Sequence, residues 1–163
     1  MIYKSNIIHI VCKNVKSLSP DNLVAFLESN GFQVMKISPK MAKNFKADSN
    51  QTVFLLGAGN AGSIVQDIAY KNQSYSGAIS IMAKIPFKRR LFYKNRTLQS
   101  LKIPLMIIGG WNAVNQMQYH VNKVKFNECD LKKLMLTVYP DINHDNIFNI
   151  SQDELLSFLH KYN

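Results

Sequence analysis

Acidic residues are scarce in this sequence. Its 163 residues include 10 Asp and Glu against 20 Lys and Arg, which gives a formal net charge of +10. Between Asp67 and Glu128 there is no Asp or Glu at all. The gap excludes a catalytic or ligand-binding carboxylate from the middle of the chain. The basic excess favours acidic partners, such as nucleic acid, an anionic surface or an acidic protein.

Cysteine and long apolar runs are also lacking. Two cysteines are too few for a disulfide framework, so we expect a reducing, cytoplasmic location. No apolar run is long enough to span a bilayer, and the first residues lack the small-residue cleavage site of a signal peptide. The length fits one domain over residues 1–163, with 47% hydrophobic residues to build its core.

The stretch from Thr52 to Ala69 (TVFLLGAGNAGSIVQDIA) organises the chain. Val53 to Leu56 are apolar, as in a strand buried on both faces, and a glycine-rich turn follows. Beyond the turn, apolar residues recur at helical spacing, namely Ile64, Val65, Ile68 and Ala69. Strand, turn and helix together predict one half of an α/β unit, whose turn usually faces the ligand.

Three interpretations of this turn are open. Gly57, Gly59 and Gly62, with Asn60 between them, match the GxGxxG fingerprint of dinucleotide-binding proteins. That fingerprint needs a carboxylate about 20 residues further on, which is absent here, although Lys84 could approach a 2′-phosphate instead. Alternatively, the turn is a nucleophile elbow, GxSxG, with Gly59 where serine would stand. In the third interpretation the glycines simply let a helix pack close to a strand.

Strand and helix patterns alternate along the chain. Apolar segments predict strands at 6–11, 32–37, 53–56, 78–82, 103–108 and 134–138. Helices are predicted over 19–31, 86–99, along the spacing Val114, Met117, Val121 and Val124, and from the capping box at 151–154 onwards. Residues 38–51 are predicted to be a polar loop. The alternation predicts an α/β fold, a three-layer sandwich with a mainly parallel sheet of about six strands.

One short segment is basic throughout. Without an intervening acid it holds Lys84, Lys88, Arg89, Arg90, Lys94, Arg96 and Lys102. We expect an exposed positive patch formed by Lys88, Arg89, Arg90, Lys94 and Arg96. Such a patch could bind a polyanion with an affinity that falls steeply with salt. It could equally be a solvated face that binds nothing.

Several segments resemble the α/β-hydrolase family. Residues 101–110 (LKIPLMIIGG) resemble the strand that precedes the acid of that family's triad, and residues 138–145 (VYPDINHD) resemble its last strand and histidine loop. The closing helix is similar to the family's terminal helix, and NIIHIVCKN and GFQVMKIS resemble the strands around its oxyanion loop. The resemblance covers nearly the whole chain in the family's order. It implies a reduced α/β-hydrolase-like core, without the family's first two strands and large cap.

The resemblance also implies where a triad would lie. The nucleophile position is Gly59, which has no side chain, and the acid position falls near Asn112. The base position is His144, the one triad residue that stays. The usual oxyanion loop falls near Lys13 and Asn14, which are further ligand-binding candidates. The serine and the acid of an active hydrolase are therefore missing.

Other reactive arrangements are open. Cys12 and His144 could form a thiolate–histidine pair, although nothing in the sequence orients the histidine. Asp141, His144 and Asp145 could supply metal ligands, but three residues on one loop are a weak indication, and we expect no metal or cofactor. Ser63 lies in the first helical turn, so it is expected to cap or pack and not to act as a nucleophile.

The sequence thus predicts an α/β-hydrolase-like pseudoenzyme that acts as a binding or assembly module for a protein partner or a small ligand. The alternatives are an active esterase or thioesterase with a displaced nucleophile, and a Rossmann-like nucleotide-binding protein. Sheet order distinguishes the folds. Numbered along the chain, the hydrolase-like core has the order 2-1-3-4-5-6, whereas the dinucleotide-binding fold has 3-2-1-4-5-6.

Overall fold

Six parallel strands form one sheet in the computed structural model, which describes residues 5–12, 21–48, 50–83, 100–121, 132–139, 147 and 151–163. The strands are β1 (Ser5–Val11), β2 (Gln33–Ile37), β3 (Gln51–Ala58), β4 (Gly77–Ile81), β5 (Leu105–Gly109) and β6 (Leu134–Val138). The segments β3, β4 and β5 are buried almost throughout, as expected of central parallel strands that are covered on both faces.

The strand order is β2-β1-β3-β4-β5-β6, and every pairing is parallel. This is the order 2-1-3-4-5-6 that the hydrolase resemblance implies, so that prediction is confirmed. The strands that follow β3 all lie on one side of it, and β1 occupies its other side. In the dinucleotide-binding fold a later strand would return to that side.

Helices cover both faces of the sheet, which gives the predicted three layers. They are α1 (Asp21–Ser29), α2 (Pro39–Asn44), α3 (Asn60–Ile68), α4 (Trp111–Val121) and α5 (Gln152–Lys161). Alternation along each strand divides the core. Leu55, for example, packs with the side that holds α2, α3 and α4, whereas Leu56 packs with the side that holds α1 and α5. Among the described residues, no helix has the length and apolarity needed to cross a bilayer.

Helix α2 corrects the prediction of a loop over residues 38–51. The Ser38 side chain caps it by accepting from the Met41 N–H at 3.3 Å, and Pro39 occupies its first position. This is the same Ser-Pro start that predicted α1. This helix shows no periodic pattern in the sequence, because it has six residues and only Ala42 is buried.

The predicted capping box at Ser151 is not formed. The Ser151 hydroxyl and N–H both donate to the carbonyl of Ile147, at 2.7 and 3.0 Å, so the hydroxyl does not cap α5. The N–H that the box would pair with the Glu154 side chain is thereby already used. The helix itself begins where the prediction put it, at Gln152.

The inward stripe of α4 differs from the predicted one. Val114 is 41% exposed, whereas Ala113, Gln116 and His120 are buried, one position earlier in the helical repeat. Met117 and Val121 lie beside that stripe and are partly buried. Two polar side chains therefore occupy core positions, which hydrophobic spacing alone does not reveal. The rest of the predicted stripe, Val124, lies outside the described residues.

Candidate functional site

The topological switch point of the sheet lies between the carboxyl ends of β1 and β3. The strand order runs outward from this pair in opposite directions, to β2 on one side and to β4, β5 and β6 on the other. Ligands of open α/β sheets bind at such a reversal, beyond the carboxyl ends of the strands. Cys12 and Gly59 are the first residues beyond the two strands. The candidate site is therefore built from these two strand ends and the neighbouring end of β4.

Two glycines let α3 lie against β3 and β4. A Cβ atom on Gly57 would lie 2.8 Å from the carbonyl carbon and oxygen of Ala61. A Cβ on Gly62 would lie 2.8 Å from Ala83 Cβ and 2.9 Å from Ser80 Oγ. Both positions are too close for any side chain, because the backbone of the helix approaches the strands directly. Close packing accounts for Gly57 and Gly62 without any ligand.

Gly59 is different, because its backbone angles require glycine and the space around it does not. Its φ is +56° and its ψ −123°, close to the mirror image of the first central residue of a type II turn, which has about −60° and +120°. L-residues avoid this region, and a side chain here is strained. A Cβ on Gly59 would meet nothing within 4 Å. The turn thus has the sharp strand-to-helix geometry of an elbow and open space in front of it.

Backbone hydrogen bonds fix the end of β4 beside this turn. The Gly59 N–H donates to the carbonyl of Ile81 at 2.9 Å, and the Met82 N–H donates to the carbonyl of Ile108 at 2.8 Å. Met82 has φ +46°, the only positive φ of a non-glycine residue in the described part of the chain. The sequence analysis ended a strand at Met82, since nothing in a methionine signals this conformation. Strained backbone of this kind clusters at functional sites.

A buried polar network lies beneath the turn, between α3, β4 and α4. The Gln66 amide donates to Ser80 Oγ at 2.9 Å and to the Gln116 side-chain oxygen, and the Gln116 amide donates to the carbonyl of Ala83. His120 Nε2 lies 3.1 Å from the Gln66 side-chain oxygen, and His120 Nδ1 lies 2.7 Å from the Tyr70 hydroxyl. Because the Gln66 oxygen can only accept, Nε2 carries the proton and Nδ1 accepts from tyrosine.

This network links the two helices that follow the site's turns. Helix α3 follows the glycine turn, and α4 follows Gly109 and Gly110 at the end of β5. Gln66, Ser80, Gln116 and His120 are each at most 4% exposed. None of the four was predicted from the sequence, because a polar residue on a helix or strand gives no sign that it faces the core. The network ends at Ala83, which follows the strained Met82.

The predicted site residues are only partly within the described structure. Gly57, Gly59 and Gly62 lie together in the turn, and Asn60 is the exposed first residue of α3. The backbone of Asn112 belongs to the first turn of α4, after Gly109 and Gly110, where the resemblance placed an acid. Outside the described residues lie the predicted base, oxyanion-loop, metal-loop and patch residues, namely His144, Lys13, Asn14, Asp141, Asp145, Lys84, Lys88, Arg89, Arg90, Lys94 and Arg96.

Cys12, the predicted partner of His144, and Ser63, the predicted capping or packing residue, both lie within the described structure. Cys12 is half-buried at the end of β1, and its thiol contacts the carbonyl of Ile10 at 3.8 Å. Ser63 is 8% exposed within α3. Within the described residues no group of three His, Cys, Asp or Glu side chains is placed to hold a metal ion.

The carboxylate of Glu154, which was predicted to belong to a helix cap, lies beside Tyr139 at the end of β6. Burial, together with a hydrogen bond and the charge of Glu154, raises the pKa of the Tyr139 phenol to about 12. Tyr139 is the first residue beyond β6, and its N–H donates to the carbonyl of Gly109 at 2.9 Å. The sequence does not reveal this contact, because it joins the end of β6 to an acid of the last helix.

The order of this parallel sheet and the elbow after β3 define an α/β fold of the α/β-hydrolase type. No protein-family model matches the chain, and no curated protein is similar to it in sequence.

Solved structures are similar in fold. The esterase Pf2001 of Pyrococcus furiosus superposes with a TM-score of 0.66 at 10% identity, over 98% of this chain and 83% of that one. The esterase domain of a Rhodothermus marinus protein gives a TM-score of 0.62 at 9% identity, over 98% and 88% of the two chains. A 2,6-dihydroxy-pseudo-oxynicotine hydrolase gives 0.64 at 12% identity, over 98% and 61%. At these identities the similarity establishes the fold alone.

Proposed function

We propose that this chain is a catalytically inactive protein of α/β-hydrolase fold that binds a small ligand or a protein partner at the carboxyl edge of its sheet. The observation that carries the proposal is Gly59. Its backbone has the conformation of a nucleophile elbow, which would be strained for any other residue, and the space for a side chain is open, but the residue has no side chain. Acyl transfer by this fold needs a nucleophile at that place.

The backbone beside the elbow supports a binding role because part of it is costly to keep. Gly59 adopts its positive φ without strain, but Met82, on the neighbouring strand end, has φ +46° and requires the surrounding structure to hold it. The buried network from Tyr70 to Ala83 supplies such support on one side. A chain that needed only a connection between strand and helix could use a relaxed turn.

Activity is tested with the purified chain on 4-nitrophenyl acetate, 4-nitrophenyl butyrate and a short thioester. We expect rates equal to those of a His144→Ala variant. Turnover that disappears in His144→Ala but persists in Cys12→Ala would overturn the proposal and indicate a nucleophile elsewhere in the fold.

Binding is tested by native mass spectrometry of the freshly purified protein, with and without a variant that fills the open space. Gly59→Asn occupies the space, at the cost of the backbone strain that any side chain has at this positive φ. The matched control is Gly31→Asn, because Gly31 has φ +85° and also has nothing within 4 Å of a Cβ. We expect a co-purified ligand or partner to be lost from Gly59→Asn and kept by Gly31→Asn. Loss from both, or from neither, would contradict a site at this turn.

An active hydrolase is the second candidate. It is favoured by the names of the similar structures, which are esterases and a hydrolase. In the described part of the chain, Cys12 is a side chain of nucleophilic type at the same sheet edge as Gly59. Thioester or ester turnover that is lost in Cys12→Ala as well as in His144→Ala would establish this candidate.

A further inference from the structure

Within the described residues, the outer edge of β2 has no strand beside it. This strand lies at one end of the sheet order and, among the described strands, pairs with β1 alone. The carbonyl of Ile37 accepts from the Cys12 N–H at 3.0 Å and so faces β1. Because backbone groups alternate in direction along a strand, Val34 and Lys36 turn their N–H and C=O groups to the open edge. An edge of this kind is a template for a further strand.

One apolar side chain is exposed on β2 and another on the helix that follows it. Met35 is 43% exposed on β2, and Met41 is 59% exposed on α2. Met35 lies on the same face of the strand as Ile37, which packs with the side that carries α2. The edge therefore combines unpaired backbone groups with apolar surface, which is the combination that a bound peptide strand uses.

The segment of the chain that contains β2 and α2 is strongly positive. Four lysines are exposed between positions 36 and 46, namely Lys36, Lys40, Lys43 and Lys46. No Asp or Glu occurs from Ser29 to Ala47, and the acids that flank this stretch are Glu28 and Asp48. A strand added here would lie beside Lys36 and near the first turn of α2. The charge complementary to this edge is negative.

We propose that the outer edge of β2 receives an extended acidic segment of a partner protein as an added strand. Backbone hydrogen bonds at Val34 and Lys36 would hold it, and the lysines would select its charge. A second copy of this chain fits less well, because edge-to-edge pairing would bring two sets of lysines together. The proposal goes beyond the function proposed above, since it concerns a different edge of the sheet.

The proposal is tested with a fluorescent peptide of alternating Glu and Val, titrated into the intact protein. Peptides of alternating Lys and Val, and of alternating Glu and Pro, are the controls. The first control reverses the charge, and the second keeps it but removes the N–H groups that a strand needs. We expect the Glu–Val peptide to bind most tightly. We also expect slower hydrogen exchange of the Val34 and Lys36 amides, without change at Met35, which already faces β1.

Charge reversal on the protein makes the test specific. We expect Lys36→Glu to weaken the Glu–Val peptide by about fivefold, the upper range for an exposed ion pair, and to strengthen the Lys–Val peptide. The control is Lys71→Glu, at an exposed lysine after α3, which should change neither. Equal binding of Glu–Val and Glu–Pro peptides would overturn strand addition, and equal binding of both charges would overturn acidic selectivity. Slow exchange at Val34 and Lys36 in a dimer without peptide would show that a second copy fills the edge.

Discussion

The two sides of the sheet are built differently. The side with α1 and α5 is filled by apolar side chains such as Ile8, Phe54 and Phe158, with Thr52 and Ser151 at its margins. The side with α2, α3 and α4 also has an apolar core, but it contains His9 and the network of Gln66, Ser80, Gln116 and His120. The first side stabilises the fold by burying apolar surface. The second side does so too, but its buried polar side chains also need hydrogen-bond partners in one particular arrangement.

The difference follows the position of the candidate site. The helices on the polar side are those that leave the glycine turn and the turn after β5, which are the nucleophile and acid positions implied by the hydrolase resemblance. A hydrophobic contact tolerates small shifts, but a buried amide that loses its partner becomes costly. The polar side is therefore suited to holding two turns in one relative position, and the apolar side to providing stability.

The largest expected effect is on the apolar side. Phe158 is fully buried, lies 6.4 Å from the Phe54 ring and 5.0 Å from the Tyr162 ring, and covers Gly77. Phe158→Ala should lower the free energy of unfolding by about 3–5 kcal/mol, the cost of removing a buried aromatic ring. Denaturant unfolding measures it. Phe26→Ala, at a half-buried position of α1, is the control and should cost clearly less. Equal losses would contradict the assigned packing.

The next effect distinguishes the two kinds of glycine in the turn. Gly57→Ala places a Cβ against the backbone of Ala61, which should cost about 3 kcal/mol, high in the range for overpacking. Gly59→Ala meets no atom and should cost only the strain of a side chain at this positive φ, about 1–2 kcal/mol. The free energies of unfolding of the two variants measure the difference. A Gly59 variant that is less stable than the Gly57 variant would show that the space in front of the elbow is not open.

The buried network should give a smaller and coupled loss. Gln66→Leu leaves Ser80, Gln116 and His120 each without one partner, so we expect a loss of about 1–3 kcal/mol. Gln116→Leu should cost a similar amount because it frees the Ala83 carbonyl. The double variant should lose less stability than the sum of the two single losses, because both substitutions remove the same hydrogen bond between Gln66 and Gln116. Strict additivity would contradict a continuous network.

Much of the fold could be predicted from the sequence because its signals are local or ordered along the chain. Apolar runs located six strands, and the order of the segments resembling a hydrolase implied the sheet order that the structure has. What the sequence did not reveal depends on tertiary contacts. Helix α2 has one buried residue, Ala42, so it shows no periodic pattern. Met82 takes a positive φ because of the tertiary contacts around it, which its own residue type does not indicate.

The candidate site was harder to predict than the fold. Three glycines looked equivalent in the sequence, but Gly57 and Gly62 are required by close packing and Gly59 by its backbone angles. Gln116 and His120 occupy core positions for which hydrophobic spacing favoured their neighbours. Hydrogen-bond partners distant in sequence decide such positions, and a single sequence does not contain them.

The smallest expected effect is a pH dependence that belongs to the polar side. His9 is 5% exposed, its ring lies edge-on to Phe45 at 4.7 Å, and its Nδ1 has no hydrogen-bond partner. Burial lowers the pKa of His9 below its usual 6.5. As the pH falls below about 6.5, the unfolded chain takes up a proton at His9 before the folded chain does, so stability is complete above that pH and decreases below it.

The size of this effect is limited by the one proton involved. Its slope cannot exceed about 1.4 kcal/mol per pH unit, and it ends where the folded state also takes up the proton. His9→Leu should remove this part of the slope between pH 7 and pH 5. It should leave stability at pH 7.5 unchanged or higher, because an unpartnered buried nitrogen is removed. Urea unfolding of both proteins across that range measures it. Since His120 is present in both proteins, the difference between their slopes isolates His9. Equal slopes would mean that His9 can be protonated in the folded protein as easily as in the unfolded chain.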